Sequence, residues 1–253
     1  MQPIYEKIRK LARQIAETFP VPDFYTDHAE ANTLSRHLLN QYPEMPRLEN
    51  IVGSHLRDNF GHGFKHSRTV ACDAGALMVI EGRNAGQAEK TVHRNVMLAH
   101  MAGMLHDVKR NKKDHAVEGA AFSREVLLEF PLSEQEQADV CAAILNHEAF
   151  KKGIPIKSPD GILIDGCLYD ADKFRWGPDN FTDTVWDMIS IHNPPLSEFI
   201  KHYPKGMLGI EQIKMTFRTA TGKKYGPQFI DLGLAIGNKL YDTIFTEFES
   251  ALG

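Results

Sequence analysis

The chain has 253 residues, 42% of them hydrophobic and 25% charged, which is enough to bury the core of one large domain or two small ones. The formal net charge of −4 argues against a nucleic-acid partner or an anionic membrane surface. The three cysteines form no CxxC pair, no signal peptide is recognised, and no apolar run approaches the ~20 residues that span a bilayer. We therefore expect a cytoplasmic protein without a membrane partner.

Helical periodicity dominates the sequence and alternating strand patterns are almost absent, so the predicted fold class is all-α. In chain order, helices are predicted at residues 4–19, 28–39, 48–57, 65–81, 88–107, 115–130, 133–147, 161–174, 180–191, 195–202, 208–219 and 228–250. Ser133 and Glu136 predict a capping box, and residues 59–63 predict a glycine-punctuated loop. The predicted organisation is an N-terminal helical extension over 1–47 and a single helical bundle over 48–253 that includes the C-terminal helices.

Histidines and aspartates recur at the ends of these predicted helices or on their apolar faces: His66, His106, Asp107, His115, His147, and Asp170 or Asp172. Taken alone, each histidine has an ordinary interpretation. His66 is typical of an exposed first turn, His106 of a satisfied core position, His115 of a residue that binds a loop carbonyl, and His147 of a helix C-terminus. An aspartate among core residues is harder to explain, because burying an unpaired carboxylate is costly. Together, these imidazole and carboxylate groups suit a metal ion such as Mn, Fe, Mg, Ni or Zn, without cysteine ligands.

The order H…HD…H…H…D resembles the HD superfamily of metal-dependent phosphohydrolases, which is named for its adjacent histidine and aspartate. The resemblance covers about residues 55–180 and is carried by five segments: HGFKHSRTV (62–70), LAHMAGMLHDV (98–108), DHAVEGAAFSREVL (114–127), VCAAILNHEAF (140–150) and LYDADKFRW (168–176). It looks closest to small bacterial HD-domain hydrolases, and it implies that the bundle over 48–253 is an HD-like domain.

Carried over position by position, the resemblance implies four ligands of one divalent metal: His66, His106, Asp107 and Asp172. Asp170 is the alternative to Asp172. His115 and His147 match positions that bind a second metal in binuclear relatives or contact substrate phosphate in mononuclear ones. The residues expected to be catalytic are accordingly Asp107, His115 and His147.

The resemblance and the chemistry of such a site predict that metal-bound water attacks a phosphate ester or anhydride. The expected substrate is a nucleotide or another small phosphorylated metabolite. Lys109 and Arg110 follow Asp107, and Lys173 and Arg175 follow Asp172, so these four cations are predicted to bind the substrate. A run of charges is also typical of an ordinary solvated surface.

Two alternatives use the same residues. The ligand order is also similar to that of di-iron oxygenases of this superfamily, in which both additional histidines bind metal. A non-enzymatic signalling module that retains the metal-binding scaffold is the other alternative. The N- and C-terminal regions of this chain lie outside the motif. We expect them to shape the substrate pocket, so the substrate does not follow from that of relatives.

Overall fold

The structure is a computed structural model that describes residues 2–56 and 63–248. It is all-α over these residues, with no strand, as predicted. Twelve α-helices are described: α1 Pro3–Ala16, α2 Asp23–Asp27, α3 Ala29–Gln41, α4 Met45–Leu56, α5 Phe64–Asn84, α6 Glu89–Leu105, α7 His115–Leu127, α8 Glu134–Asn146, α9 Pro159–Phe174, α10 Val185–His192, α11 Leu196–Ile213 and α12 Ala220–Glu247. A π-helical segment, Asn180–Thr184, precedes α10.

Two helical hairpins form the centre of the fold. In the first, α5 and α6 are joined by residues 85–88, where Gly86 adopts a φ of +71° that favours glycine. In the second, α7 and α8 are joined by residues 128–133, and the predicted capping box of Ser133 and Glu136 begins α8. Since the two helices of a hairpin run in opposite directions, the start of the first lies beside the end of the second.

The first hairpin is packed tightly at Gly103. A Cβ atom added there would lie 2.5 Å from the Cα atom of Ala71, which is closer than real side-chain contacts. Only glycine at position 103 therefore allows α5 and α6 to approach this closely. Helix α9 packs against both α5 and α8, which places its last turn between the two hairpins.

The terminal helices share the same hydrophobic core as the hairpins. Tyr5 of α1 is buried in an aromatic group with Trp186 and Phe199, and Leu240 of α12 is fully buried. The division at residue 47 into an N-terminal extension and a helical bundle stays a prediction. Over the described ranges, no helix combines the length and the apolarity needed to cross a bilayer.

The predicted helix boundaries fail most clearly at the C-terminal end. The helices predicted at 195–202 and 208–219 are one helix, α11, which continues through Pro204 and ends at Ile213. Proline costs a helix one hydrogen bond, but burial of Ile200, Tyr203 and Ile210 along one face holds this helix together.

Helix α12 begins at Ala220 rather than at residue 228, because the Thr219 side chain caps it by accepting a hydrogen bond from the Gly222 N–H. The short helix α2 was not predicted. The predicted loop at 59–63 lies outside the described residues except for residue 63. Residues 249–250 of the last predicted helix lie outside them as well.

Candidate metal centre

Four histidines meet at one end of the two hairpins. His66 lies in the first turn of α5 and His106 directly follows α6, and their Nε2 atoms are 3.4 Å apart. His115 begins α7 and His147 directly follows α8, and their ring centroids are 5.2 Å apart. The rings of His106 and His147 are also separated by 5.2 Å, so the two pairs form one cluster.

Asp107 lies between the two pairs. Its Oδ2 atom is 3.9 Å from Nε2 of His66 and 3.6 Å from Nε2 of His106. Its Oδ1 atom is 3.6 Å from Nε2 of His115 and 3.4 Å from Nε2 of His147. Asp107 thus belongs to two groups of possible metal ligands, the first triad with His66 and His106 and the second triad with His115 and His147.

Asp172 extends the first triad. Its Oδ1 atom lies 3.6 Å from the Nε2 atoms of both His66 and His106. Its Oδ2 atom accepts a hydrogen bond of 2.5 Å from the Nζ group of the buried Lys173. Lys173 therefore orients the carboxylate so that the other oxygen faces the histidines, which is the usual arrangement behind a metal ligand.

The carboxylate of Asp170, the alternative ligand, faces the start of α12 and not the histidines. Its carboxylate accepts hydrogen bonds from the backbone N–H groups of Arg218 and Thr219 and from the Thr219 hydroxyl. It anchors the start of α12, and burial, opposed by these hydrogen bonds, raises its pKa to about 6. The geometry therefore favours Asp172 over Asp170 as the ligand.

The donor atoms fit a metal ion. The Nδ1–H groups of His106 and His147 donate to the carbonyls of Gly103 and Ile144, at 2.8 Å and 2.6 Å. In its neutral form, each ring presents the lone pair of Nε2 toward the carboxylate of Asp107, and this lone pair and the carboxylate oxygens repel each other. A cation among these atoms would replace repulsion with coordination, and imidazole and carboxylate ligands suit the divalent metals that an HD domain implies.

Burial and neighbouring charges determine the pKa values of the side chains in the cluster. Burial opposes ionisation of Asp172, but Lys173 and the nearby histidines outweigh it and hold its pKa well below the usual range. Burial likewise opposes the charged form of His106, but Asp107 and Asp172 raise its pKa. Burial lowers the pKa of His115 to about 4, against the attraction of Asp107. The carboxylate of Asp172 is thus kept in its charged form beside His66 and His106.

The four cations predicted to bind substrate have different surroundings. Arg110 lies at the second triad, where its Nη1 donates a 2.7 Å hydrogen bond to Nε2 of His115. Lys173 supports Asp172. Lys109 places its ammonium 4.1 Å from the ring centroid of Phe122.

Arg175 is buried, and its guanidinium pairs with two carboxylates, Asp73 at 2.5 Å and Asp179, and also binds the Tyr25 hydroxyl. This placement argues against the predicted contact of Arg175 with substrate, because its charge is already neutralised inside the protein.

Three residues near the site were not predicted. Glu148 places Oε1 3.8 Å from Nδ1 of His115, and its position next to His147 was a signal that could have been used. Arg218 donates to the carbonyl of Asn146, the residue before His147, and its distance in sequence gave no signal. Asp73 is the buried partner of Arg175, and a polar residue on an apolar helix face was the available signal.

A family model and a solved structure are similar to parts of this chain. Residues 63–177 match the family model described as HD domain. No curated protein matches the chain. A crystal structure described as a predicted HD superfamily hydrolase, from an uncultured Thermotogales bacterium, aligns with a TM-score of 0.46 and 20% identity over 86% of this chain and 98% of that chain. Residues 63–177, which contain all six residues of the cluster, therefore form an HD domain, and the predicted resemblance to the HD superfamily is confirmed over this segment.

Proposed function

We propose that this protein is a metal-dependent phosphohydrolase that acts on a nucleotide or another small phosphorylated metabolite. The HD domain and the histidine–aspartate cluster support a metal-dependent hydrolase, and the phosphorylated substrate is the further step that we propose. The observation that carries the proposal is the position of Asp107, whose two oxygens face the two pairs of histidines. A carboxylate so placed joins a metal subsite to a second, cationic subsite in which phosphate could lie.

The four residues that would hold the metal are His66, His106, Asp107 and Asp172. With a divalent metal held by these residues, the pKa of coordinated water would fall toward neutrality and a phosphoryl oxygen would be polarised. Phosphoryl transfer depends mainly on positioning and on charge, so the remaining residues act through these two effects.

The protein side chains supply positioning and proton acceptance. Lys173 holds Asp172 in place through a hydrogen bond to Oδ2. His147 presents the lone pair of Nε2 beside Oδ1 of Asp107, so it can accept a proton from an attacking water. Arg110 is oriented by His115 and is a cation available to a phosphate oxygen on this side of Asp107.

A phosphate-release screen tests the proposal. The purified protein would be assayed with nucleoside mono-, di- and triphosphates, cyclic nucleotides and sugar phosphates, each in Mn, Fe, Mg, Ni and Zn. We expect metal-dependent release from at least one class. Asp107→Asn, which preserves the size of the side chain, should lower kcat/KM by about a thousandfold or more.

A matched control separates this site from other polar positions. His202 is exposed on α11 and pairs with Glu198, so His202→Ala should retain full activity whereas His106→Ala should lose it. Circular dichroism would verify that each variant is folded. Full activity in His106→Ala would refute the proposed site, and iron-dependent oxygen uptake without phosphate release would favour the oxygenase alternative.

A further inference from the structure

Arg110 lies at the second triad in a position where it would compete with a metal for His115. Its Nη1 is 2.7 Å from Nε2 of His115 and 4.0 Å from Oδ1 of Asp107. Because a guanidinium can only donate, the hydrogen bond uses the lone pair of Nε2. A metal bound to that nitrogen needs the same lone pair. The two uses of His115 are therefore mutually exclusive at Nε2.

The two triads also differ in charge. The first triad has Asp172 in addition to the shared Asp107, and the second triad has only the shared carboxylate with two imidazoles. Glu148 lies near the opposite nitrogen of His115, at 3.8 Å from Nδ1, and pairs with Lys151 at 2.8 Å. A second divalent ion would thus enter a subsite with less negative charge, beside a cation that is already there.

We propose that Arg110 takes the place of a second metal ion, so that the centre binds one divalent ion tightly and presents a guanidinium as its second positive group. This inference rests on the proposed function, because it assumes that the first triad and Asp172 hold a metal. The formal charges of Asp107 and Asp172 are matched by those of Lys173 and Arg110. One divalent ion then leaves an excess of about two positive charges, which suits a phosphate dianion.

Metal stoichiometry tests this inference without an activity assay. Mn²⁺ would be titrated into metal-free protein by isothermal titration calorimetry, and the bound metal would be counted by elemental analysis. The wild type should bind one ion tightly. Arg110→Ala should bind a second ion roughly tenfold or more tightly than the wild type does, since it loses both a charged hydrogen bond and a repulsive charge.

Two further variants control for general effects of charge and of folding. Lys112→Ala removes a positive charge from an exposed position in the same loop, and it should leave the stoichiometry at one. Arg110→Gln retains a donor for His115 and should bind the second ion with an affinity between those of the wild type and Arg110→Ala. In Arg110→Ala, electron paramagnetic resonance should show the exchange-coupled signal of two neighbouring Mn²⁺ ions.

The outcomes separate this inference from the proposed function. Two ions of similar affinity in the wild type would overturn the role of Arg110 and leave the hydrolase proposal standing. A stoichiometry of one in Arg110→Ala at high Mn²⁺ concentration would overturn it as well. Protein that binds no divalent metal would refute the proposed function itself, and this inference with it.

Discussion

The two sides of Asp107 use the same residue types for different purposes. On one side, His66 and His106 face the carboxylate of Asp172, which Lys173 holds in position. On the other side, His115 accepts a hydrogen bond from Arg110. The difference shows that imidazoles alone do not define a metal site, because the neighbouring charge decides whether a cation is attracted or already supplied.

The largest expected difference between the two sides is in metal affinity. Asp172→Asn should weaken Mn²⁺ binding by more than about a hundredfold, because it removes a ligand that carries half of the negative charge of the first subsite. His147→Asn should change the affinity for the first ion by much less and should mainly lower kcat. Equilibrium dialysis and steady-state kinetics measure the two effects, and equal losses of affinity in both variants would contradict the asymmetry.

A smaller effect on metal affinity is expected for Lys173, which binds the far oxygen of Asp172. Lys173→Met removes the hydrogen bond to Oδ2 and the charge that lowers the pKa of the Asp172 carboxyl. Metal affinity should fall by roughly tenfold to a hundredfold, as is typical of residues that orient ligands. The loss should be larger at pH 5 than at pH 8, because a raised pKa allows protons to compete with the metal. Lys205→Met, at an exposed position of α11, is the control, and an identical loss at both pH values would argue against this role of Lys173.

A third effect, on stability and not on metal affinity, concerns a histidine outside the centre. His100 is fully buried one and a half turns before His106, where burial, helped by Arg68, lowers its pKa to about 3. Its Nε2 donates to the Ser35 hydroxyl, which in turn donates to the carbonyl of Cys72. Among residues 2–56 and 63–248, no carboxylate favours the charged form of this histidine, in contrast to His106.

The depressed pKa of His100 predicts acid sensitivity. Below pH 6.5 the unfolded chain takes up a proton at this residue and the folded chain does not, so folding free energy is lost as the pH falls toward 3. The loss should be about 1.4 kcal/mol for each pH unit in that range. His100→Gln retains a donor for Ser35 and does not titrate. Urea unfolding in the presence of a chelator at pH 7.5, 5.5 and 4.5 should therefore show the two stability curves converging, and parallel curves would contradict the prediction.

Much of the centre could be predicted from the sequence because its residues stand at helix ends. His66 and His115 begin helices and His106 and His147 end them, so two antiparallel hairpins suffice to bring all four together. The choice between Asp170 and Asp172 could not be made in this way. Residues two apart on a helix point in different directions, and only the packing of α9 against α5 and α8 determines which one faces the histidines.

Other details also depend on tertiary contacts. Lys173 and Arg175 are equally basic in sequence, but Arg175 faces Asp73 of α5 and Lys173 faces Asp172. Pro204 predicts a break in a helix, and a buried apolar face overrides it. Arg218 approaches His147 only because Asp170 fixes the start of α12 next to α9. Local patterns thus predicted where the helices carry their functional groups, and packing decided which groups meet.

The most direct test of the account is the location of metal in a crystal. Crystals grown with a molar excess of Mn²⁺ would be measured near the manganese absorption edge to obtain an anomalous difference map. We predict one strong peak per chain, bounded by His66, His106, Asp107 and Asp172, with the Arg110 guanidinium on the other side of Asp107. A map with no peak among these four residues, or with its strongest peak between His115 and His147, would contradict the account.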